Sequence, residues 1–568
     1  MKCTDYIAKK LSNYTDCAFI GQGGSVVHLL DSLSKLKNFK IIPSQNEQGA
    51  SLAADAYARC TGKVGLVVAT SGPGIINAFQ GMACSYYDSI PGIYISGAPV
   101  RSMLRKSNKL RSLGFQEMDV VNIVKSFTKY SVRITDINRV DYEIEKCLKI
   151  ALEGRQGPCL VDLPDDIQRS SLETKKQKKF FYKKIKVNKK YDVAKFKKLL
   201  ERSKKPLIIV GQGVVQSKTE KKISELIKKF QIPFTCTWGA YGLFPELSKY
   251  NAGSFGVYAS NHGNLAINNS DLLLIFGSRL SGPLIGTKPE EFGDKAKKIQ
   301  IDIDNAELQG ENRVKIDLKI QRDLKVFFNS NPFKYINIRS SQEWNNQISN
   351  WKKEFPNIKK NYFKQKKFVN PYIFFNKLGY LLNKNDVLIN DSSANLCWSY
   401  QSLGTNFKSK TFTSFNASPM GYSVPAAIGA SIAERRKNII AVTGDGAMQM
   451  NIQEIENISS MKLPIKIILI NNDGYGLMRQ TIDTWLKSNY VGCDKKSGLS
   501  LPDFKKVFKA YGIDSITIKN NSQIEKSLKK VLRLKKPILC EVMVHPNAHV
   551  IPKVKPGFPL HIMLDKVK

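Results

Sequence analysis

The chain has 568 residues, enough for about three domains of ordinary size. Apolar residues make up 42%, and no stretch approaches the roughly 18 uninterrupted apolar residues of a membrane span, so globular cores and no membrane segment are expected. The formal net charge of +40 invites a nucleic-acid reading.

That reading is not favoured by where the charge sits. Lysines crowd into Lys175 to Lys190 and Lys352 to Lys367, which read as interdomain linkers. No zinc knuckle, helix-turn-helix or aromatic ribonucleoprotein motif accompanies them, so a solvated basic surface is expected rather than a nucleic-acid partner. The ten cysteines are scattered without a Cys-x-x-Cys pair, which suggests neither a zinc site nor a disulfide framework. Met1 to Cys17 is polar and interrupted by charges, unlike a signal peptide, so a cytoplasmic protein is expected.

Strands alternate with helices throughout, which predicts an α/β chain of three doubly wound parallel-sheet domains. The first segment, residues 1–175, holds the buried strand Lys63 to Thr70 and the Gly-rich turn Ser71-Gly72-Pro73-Gly74. A second strand, Gly92 to Gly97, follows. Earlier in the segment Gln45-Asn46-Glu47-Gln48 leaves the strand Phe39 to Pro43 and opens an Ala-rich helix, Ala50 to Arg59. Glu47 at that position is either a dipole-favoured helix N-terminal acid or a working carboxyl. The central segment, 190–335, has strands at Pro206 to Val210, Asp271 to Gly277 and Lys298 to Ile303, with Gly211-x-Gly213 as half of a dinucleotide fingerprint.

The third segment, 368–550, carries the most specific signal. Gly444-Asp445-Gly446 follows the apolar run Ile439 to Thr443, and Asn471-Asn472 follows Ile465 to Ile470, with Asp445 and Asn472 27 positions apart. An Asp and an Asn then stand at the carboxyl ends of parallel strands, where open α/β sheets bind ligands. With a nearby backbone carbonyl they offer three oxygens to a hard cation such as Mg²⁺, which usually also holds phosphates. A diphosphate cofactor therefore fits this segment, and a helix N-terminus adds backbone donors. Met420, in the loop before the helix Val424 to Glu434, is either core filler or a wedge against an organic ring.

Taken together the chain resembles the thiamine-diphosphate-dependent enzymes of the acetolactate synthase type over nearly its whole length. The resemblance rests on Asn46-Glu47-Gln48, Thr70 to Gly74, Gly114-Phe115-Gln116-Glu117, Thr128-Lys129, Gly157-Pro158, Met420-Gly421-Tyr422 with Pro425 to Gly429, Gly444-Asp445-Gly446 and Asn471-Asn472. It implies a pyrimidine-binding first domain, a central flavin- or nucleotide-type domain and a diphosphate-binding third domain. The cofactor would lie between the first domain of one copy and the third of another, in a homodimer or homotetramer. Glu47 would hydrogen-bond N1′ of the aminopyrimidine, with burial raising its proton affinity. Met420 would hold the cofactor bent. Asp445, Asn472 and the Gly474 carbonyl match the metal ligands. Gly446, Ala447 and Asn395 match diphosphate contacts, and Gln116 and Lys129 match polar residues of the active-site channel. The implied reaction is loss of carbon dioxide from a 2-oxo acid, pyruvate first among them, and transfer of the acyl carbanion to a carbonyl acceptor.

Two departures bear on the acceptor. Acetolactate synthases hold the acceptor carboxylate with an Arg in the loop after the strand Leu272 to Phe276, and the matching position here is Pro283. A Trp shortly after the Asn-Asn motif is replaced by Thr481. Losing a charged clamp disfavours an anionic acceptor and leaves two-carbon transfer to a keto nucleotide-sugar as an alternative. The five His residues include no neighbouring pair, unlike the pyruvate decarboxylase branch, while an oxalyl-CoA-type lyase stays open. FAD is left open too, because similar central strands occur in relatives that bind no flavin. A non-catalytic subunit of the same fold is the non-enzyme alternative, and the intact Glu47, Asp445 and Asn472 weigh against it.

Overall fold

The computed structural model describes residues 1–107, 109–182, 189–434 and 437–565. Three sheets of six strands each organise the chain, and every strand pair within them is parallel. The fold is α/β, as the alternation of strands and helices implies. Central strands such as Leu272–Phe276 and Gly65–Ala69 are buried along their whole length, which is why they read as unbroken apolar runs: helices cover both faces.

The first sheet contains β1 (Cys17–Gly21), β2 (Lys40–Pro43), β3 (Gly65–Ala69), β4 (Gly92–Ala98), β5 (Tyr130–Arg133) and β6 (Pro158–Pro164), in the order β2-β1-β3-β4-β6-β5. The second contains β7 (Pro206–Val210), β8 (Phe234–Cys236), β9 (Asn251–Ser254), β10 (Leu272–Phe276), β11 (Lys297–Asp302) and β12 (Leu318–Gln321), in the order β12-β11-β10-β7-β8-β9. The third contains β13 (Asp386–Asn390), β14 (Lys410–Phe412), β15 (Asn438–Gly444), β16 (Lys466–Asn471), β17 (Ser515–Ile518) and β18 (Ile538–Met543), in the order β14-β13-β15-β16-β18-β17. The first and third sheets are thus threaded identically, with the order reversing between their first and third strands. The second has the dinucleotide-fold order, reversing between β7 and β10.

The first and third sheets are joined in one core. The helix Glu47–Thr61 packs along the helix Ser423–Ala433, and a Cβ on Gly429 would stand 1.9 Å from the Ala53 carbonyl oxygen, so only glycine permits that approach. One hydrophobic cluster runs from Phe19 and Tyr57 to Ile389, Ile428 and Leu469. Asp88 is the junction of all three sheets. Its carboxylate accepts from Arg59 at 2.8 Å, from the Phe415 N–H at 2.8 Å and from the Asn416 N–H at 3.1 Å, and its carbonyl accepts from Gln216 at 3.1 Å.

Two expectations change. The helix expected from Ala50 begins at Glu47, because the Asn46 side chain accepts the Gln48 N–H at 2.8 Å and caps it there. The segment Lys352 to Lys367 is not a plain linker: Lys352 lies in the helix Gln342–Glu354 and donates to the Asn251 carbonyl at 3.0 Å. The other lysine-rich segment, Lys175 to Lys190, lies in part (183–188) outside the described residues.

Candidate functional site

In open α/β sheets the ligand crevice opens where the strand order reverses. In the first sheet that point lies between the ends of β1 and β3, and Glu47 is there. A Cβ on Gly21, the last residue of β1, would stand 2.1 Å from Glu47 Cγ, and one on Gly74 would stand 3.2 Å from its Oε1. Asn77 Nδ2 donates to Glu47 Oε2 at 3.0 Å. Glu47 is only half-buried in the single chain, so the enclosure expected around it is incomplete. Gln116 belongs to the same face. Its side chain accepts from Ser71 Oγ at 3.4 Å, beside the turn that follows β3, and its φ of +56° places a non-glycine residue in the left-handed region. Lys129 does not join this group. Its ammonium donates to the Ile150 carbonyl and to the Glu153 carbonyl, the latter at 2.6 Å, and so closes the C-terminal end of the helix Val140–Leu152.

In the third sheet the switch point lies between β13 and β15. Asp445 stands directly after β15 and is 2% exposed. Its carboxylate accepts the Gly446 N–H at 2.7 Å, the Asn472 N–H at 3.1 Å and the Gly474 N–H at 3.0 Å, which draws the loop after β16 up to it. Burial nevertheless pushes Asp445 up to about 6. A cation beside it would remove that penalty. Asn472 and Gly474 are buried next to it, and Ala447 lies one turn on, also buried. Asn395 closes the far side, its Oδ1 3.8 Å from where a Gly444 Cβ would be. One carboxylate, one amide oxygen and one backbone carbonyl make a donor set for a hard cation with room for phosphate oxygens, so these residues fit Mg²⁺ with a diphosphate. Among the described residues no cluster of three or more His, Cys, Asp or Glu side chains offers another metal site.

Sequence reasoning missed two residues behind this site. Asp391, fully buried after β13, accepts from the Gly421 N–H at 2.9 Å, from Ser423 Oγ at 3.1 Å and from Thr443 Oγ1 at 3.2 Å. It ties the half-buried Met420 loop to the end of β15. The polar run Asn390-Asp391-Ser392-Ser393 at a strand end was the available signal. Arg479, 3% exposed, donates to the Asn472 carbonyl at 2.7 Å and to the Asp473 carbonyl at 2.8 Å, clamping the Asn472–Gly474 loop from behind. Nothing in the sequence announces it.

Among the described residues no hydrogen bond joins Glu47 or Gln116 to Asp445, Asn472 or Met420.

A third crevice opens at the switch point of the central sheet, as a cavity of about 760 Å³ bordered by Gly213, Gly277, Ser278, Arg279, Asp302 and Pro283 among others. Gly211 and Gly213 press against the Gly277 backbone, where a Cβ on Gly211 would stand 2.1 Å from the Gly277 carbonyl oxygen. Among the described residues Ser278 Oγ is buried without a partner, and the Arg279 guanidinium makes no hydrogen bond or ion pair, its carbonyl alone accepting from Asn312 at 3.3 Å. Bare backbone, an orphaned hydroxyl and an unpaired guanidinium at a strand-order reversal fit a dinucleotide with its pyrophosphate.

Known proteins place the chain accordingly. Residues 1–123 match the family model described as thiamine pyrophosphate enzyme, N-terminal TPP binding domain. Residues 193–330 match the central domain of the same enzymes and residues 391–542 their C-terminal TPP binding domain. The acetolactate synthase large subunit of Porphyra purpurea is 32% identical over 554 residues, covering 94% of this chain and 90% of the relative. That of Lactococcus lactis is 29% identical over 540 residues, covering 94% and 91%. The Escherichia coli isozyme 1 large subunit is 28% identical over 539 residues, covering 94% and 92%. The chain belongs to the thiamine pyrophosphate enzyme family and, within it, to the acetolactate synthase large-subunit type.

Proposed function

We propose that this chain is a thiamine-diphosphate-dependent carboligase that decarboxylates a 2-oxo acid, pyruvate first, and passes the acyl carbanion to a carbonyl acceptor. The observation that carries the reading is the convergence of the Asp445 carboxylate with the Asn472–Gly474 loop at the ends of adjacent parallel strands. Asp445, Asn472 and the Gly474 carbonyl would hold Mg²⁺ and through it the diphosphate, with Gly446, Ala447 and Asn395 around the phosphates. When bound, thiamine diphosphate supplies the electron sink for carboxylate loss. Glu47 would hydrogen-bond the aminopyrimidine N1′ and exchange a proton there. Met420, held by Asp391 through Gly421, would press on the cofactor rings and fix their angle. Gln116 and the mouth of the first sheet would face the incoming substrate, with Lys129 further from that face.

The active unit is read as a homodimer or homotetramer whose sites are shared between copies, since among the described residues no hydrogen bond links Glu47 to Asp445. Exposed apolar residues on both sides, Phe115 and Met118 in the first segment and Trp485, Leu486 and Val491 in the third, are the surface such an assembly would cover. Co-expression tests this. A hybrid of a Glu47→Ala chain with an Asp445→Ala chain regains activity if sites are shared and stays inactive if each chain holds its own.

A 2-oxo acid is the acceptor in the simplest reading. Pro283 favours a second one. The Val257 N–H donates to its carbonyl at 2.9 Å, it borders the central cavity, and it offers no charge to a carboxylate. An uncharged carbonyl such as that of a keto nucleotide-sugar then fits better. Thr481 is exposed on the helix Gly476–Trp485, with its hydroxyl turned back to the Leu477 carbonyl at 2.9 Å. Carbon dioxide release from pyruvate, with products identified by mass spectrometry with and without each acceptor, decides between them. The central cavity is read as an FAD site, and flavin absorbance of the purified protein checks it.

A further inference from the structure

Glu454 is 0% exposed and sits in the helical run of residues 445–460 that begins at Asp445. Its carboxylate leaves its own sheet. Oε1 accepts the Asn46 N–H at 3.1 Å, while Oε2 accepts Asn457 Nδ2 at 2.7 Å. Asn457 Oδ1 in turn accepts Gln45 Nε2 at 3.2 Å. A Cβ on Gly49 would stand 2.3 Å from Glu454 Oε1, so the carboxylate is seated on the first turn of the helix that starts with Glu47.

A carboxyl serving only as filler between two sheets is an expensive choice. Among the described residues no cation pairs with Glu454, and burial pushes it up to about 7. What the carboxyl does supply is an acceptor for a backbone N–H just outside the start of a 15-residue helix. The Asn46 side chain caps this helix from one side, and Glu454 holds the Asn46 backbone from the other. Glu47 is the next residue, and among the described residues its own carboxylate has only Asn77 to steady it.

We propose that Glu454 is a positioning residue which, reaching across from the third sheet, fixes the Gln45–Asn46 turn and so sets where the Glu47 carboxylate stands. The inference rests on the reading of Glu47 as the group that meets the aminopyrimidine. It makes one run of chain, from Asp445 to Asn457, touch both the metal-holding end of the third sheet and the acid–base end of the first.

The test uses the full-length protein with thiamine diphosphate and Mg²⁺. Three quantities are read: cofactor affinity by calorimetry, deuterium exchange at the cofactor C2 position by quench and NMR, and, without cofactor, amide exchange of residues 44–50 by mass spectrometry. Glu454→Ala is expected to slow C2 exchange about tenfold or more, to change cofactor Kd less than about twofold, and to speed amide exchange in 44–50. Glu454→Gln keeps an acceptor for the Asn46 N–H and is expected to stay within about threefold of the unaltered protein. Asn457→Ala releases the carboxylate without removing it and should slow C2 exchange at least about threefold; it carries the test if Glu454→Ala does not fold. C2 exchange left within about twofold by the folded variants, or lost in equal measure with cofactor affinity, overturns the proposal. Glu47→Gln runs alongside. If it slows C2 exchange while Glu454→Ala and Asn457→Ala do not, this inference alone falls; if Glu47→Gln leaves C2 exchange unchanged, both readings fall.

Discussion

The first and third sheets share one strand order but load its ends differently. After the second strand of the first sheet, Pro43 leads in four residues to Glu47 at the start of a helix. After the second strand of the third sheet, Phe412 leads into a longer loop that carries Met420 before the matching helix, Ser423–Ala433. After the third strand, one sheet has the uncharged turn Thr70 to Pro73 and the other has Asp445. The topology fixes where chemistry can stand, and short loops choose what stands there. On the proposed reading, one sheet would present a proton-exchanging carboxyl to an organic ring. The other would present a carboxylate, an amide and a carbonyl to a cation and its phosphates.

The sharpest way to break this division is to neutralise one acid in each sheet. Glu47→Gln should lower kcat by about 10²–10⁴-fold with cofactor affinity nearly kept, because only proton exchange is removed. Asp445→Asn should instead weaken Mg²⁺-dependent cofactor binding about 100-fold or more. Steady-state kinetics and calorimetry on both variants check this. Equal loss of affinity in the two would erase the distinction. Next comes the contact that joins the sheets. Gly429→Val drives a side chain into the Ala53 carbonyl and should cost about 3 kcal/mol or more, seen as a lower melting temperature with or without cofactor.

Glu454 gives a pH-dependent effect at a second contact between the same sheets. Its folded value of about 7 lies above the ordinary 4.5, so between these values the folded chain keeps a proton that the unfolded chain has shed. Its contribution is therefore most favourable below pH 4.5 and is lost as pH rises to about 7, by about 3 kcal/mol. Urea midpoints at several pH values should show this slope in the unaltered protein and a flatter one in Glu454→Gln. The smallest expected effect is Pro283→Arg, which should improve use of a 2-oxo acid acceptor about tenfold, measured as kcat/KM for acetolactate formation.

Much of this was legible in the sequence, and for a physical reason. Strands buried on both faces are mostly apolar, so β3, β7 and β10 announce themselves as unbroken runs and β15 and β16 as nearly unbroken ones, and the polar residues that follow them mark the sheet ends. Asp445 and Asn472 were found that way. The rest depends on distant partners. Glu454 is one more Glu in a helical stretch until a helix about 400 positions earlier arrives to bury it. Arg479 points at backbone carbonyls, which have no sequence signature. Lys129 stands in a motif that suggests a channel residue, and its use as a helix closure depends on where Ile150 and Glu153 end up.

The core shared by the outer sheets has a consequence for synthesis. The helix Glu47–Thr61 leaves the ribosome early, whereas the helix that covers it, Ser423–Ala433, follows only after the whole central domain. At bacterial-like elongation rates that gap lasts roughly 20 to 80 s. For that time the nascent first domain shows an apolar stripe meant for a partner that has not been made. The central domain, with its own separate core, can close in the meantime. Production of this enzyme should therefore be sensitive to how fast it is translated and to the chaperones at hand, well before any question of cofactor supply arises.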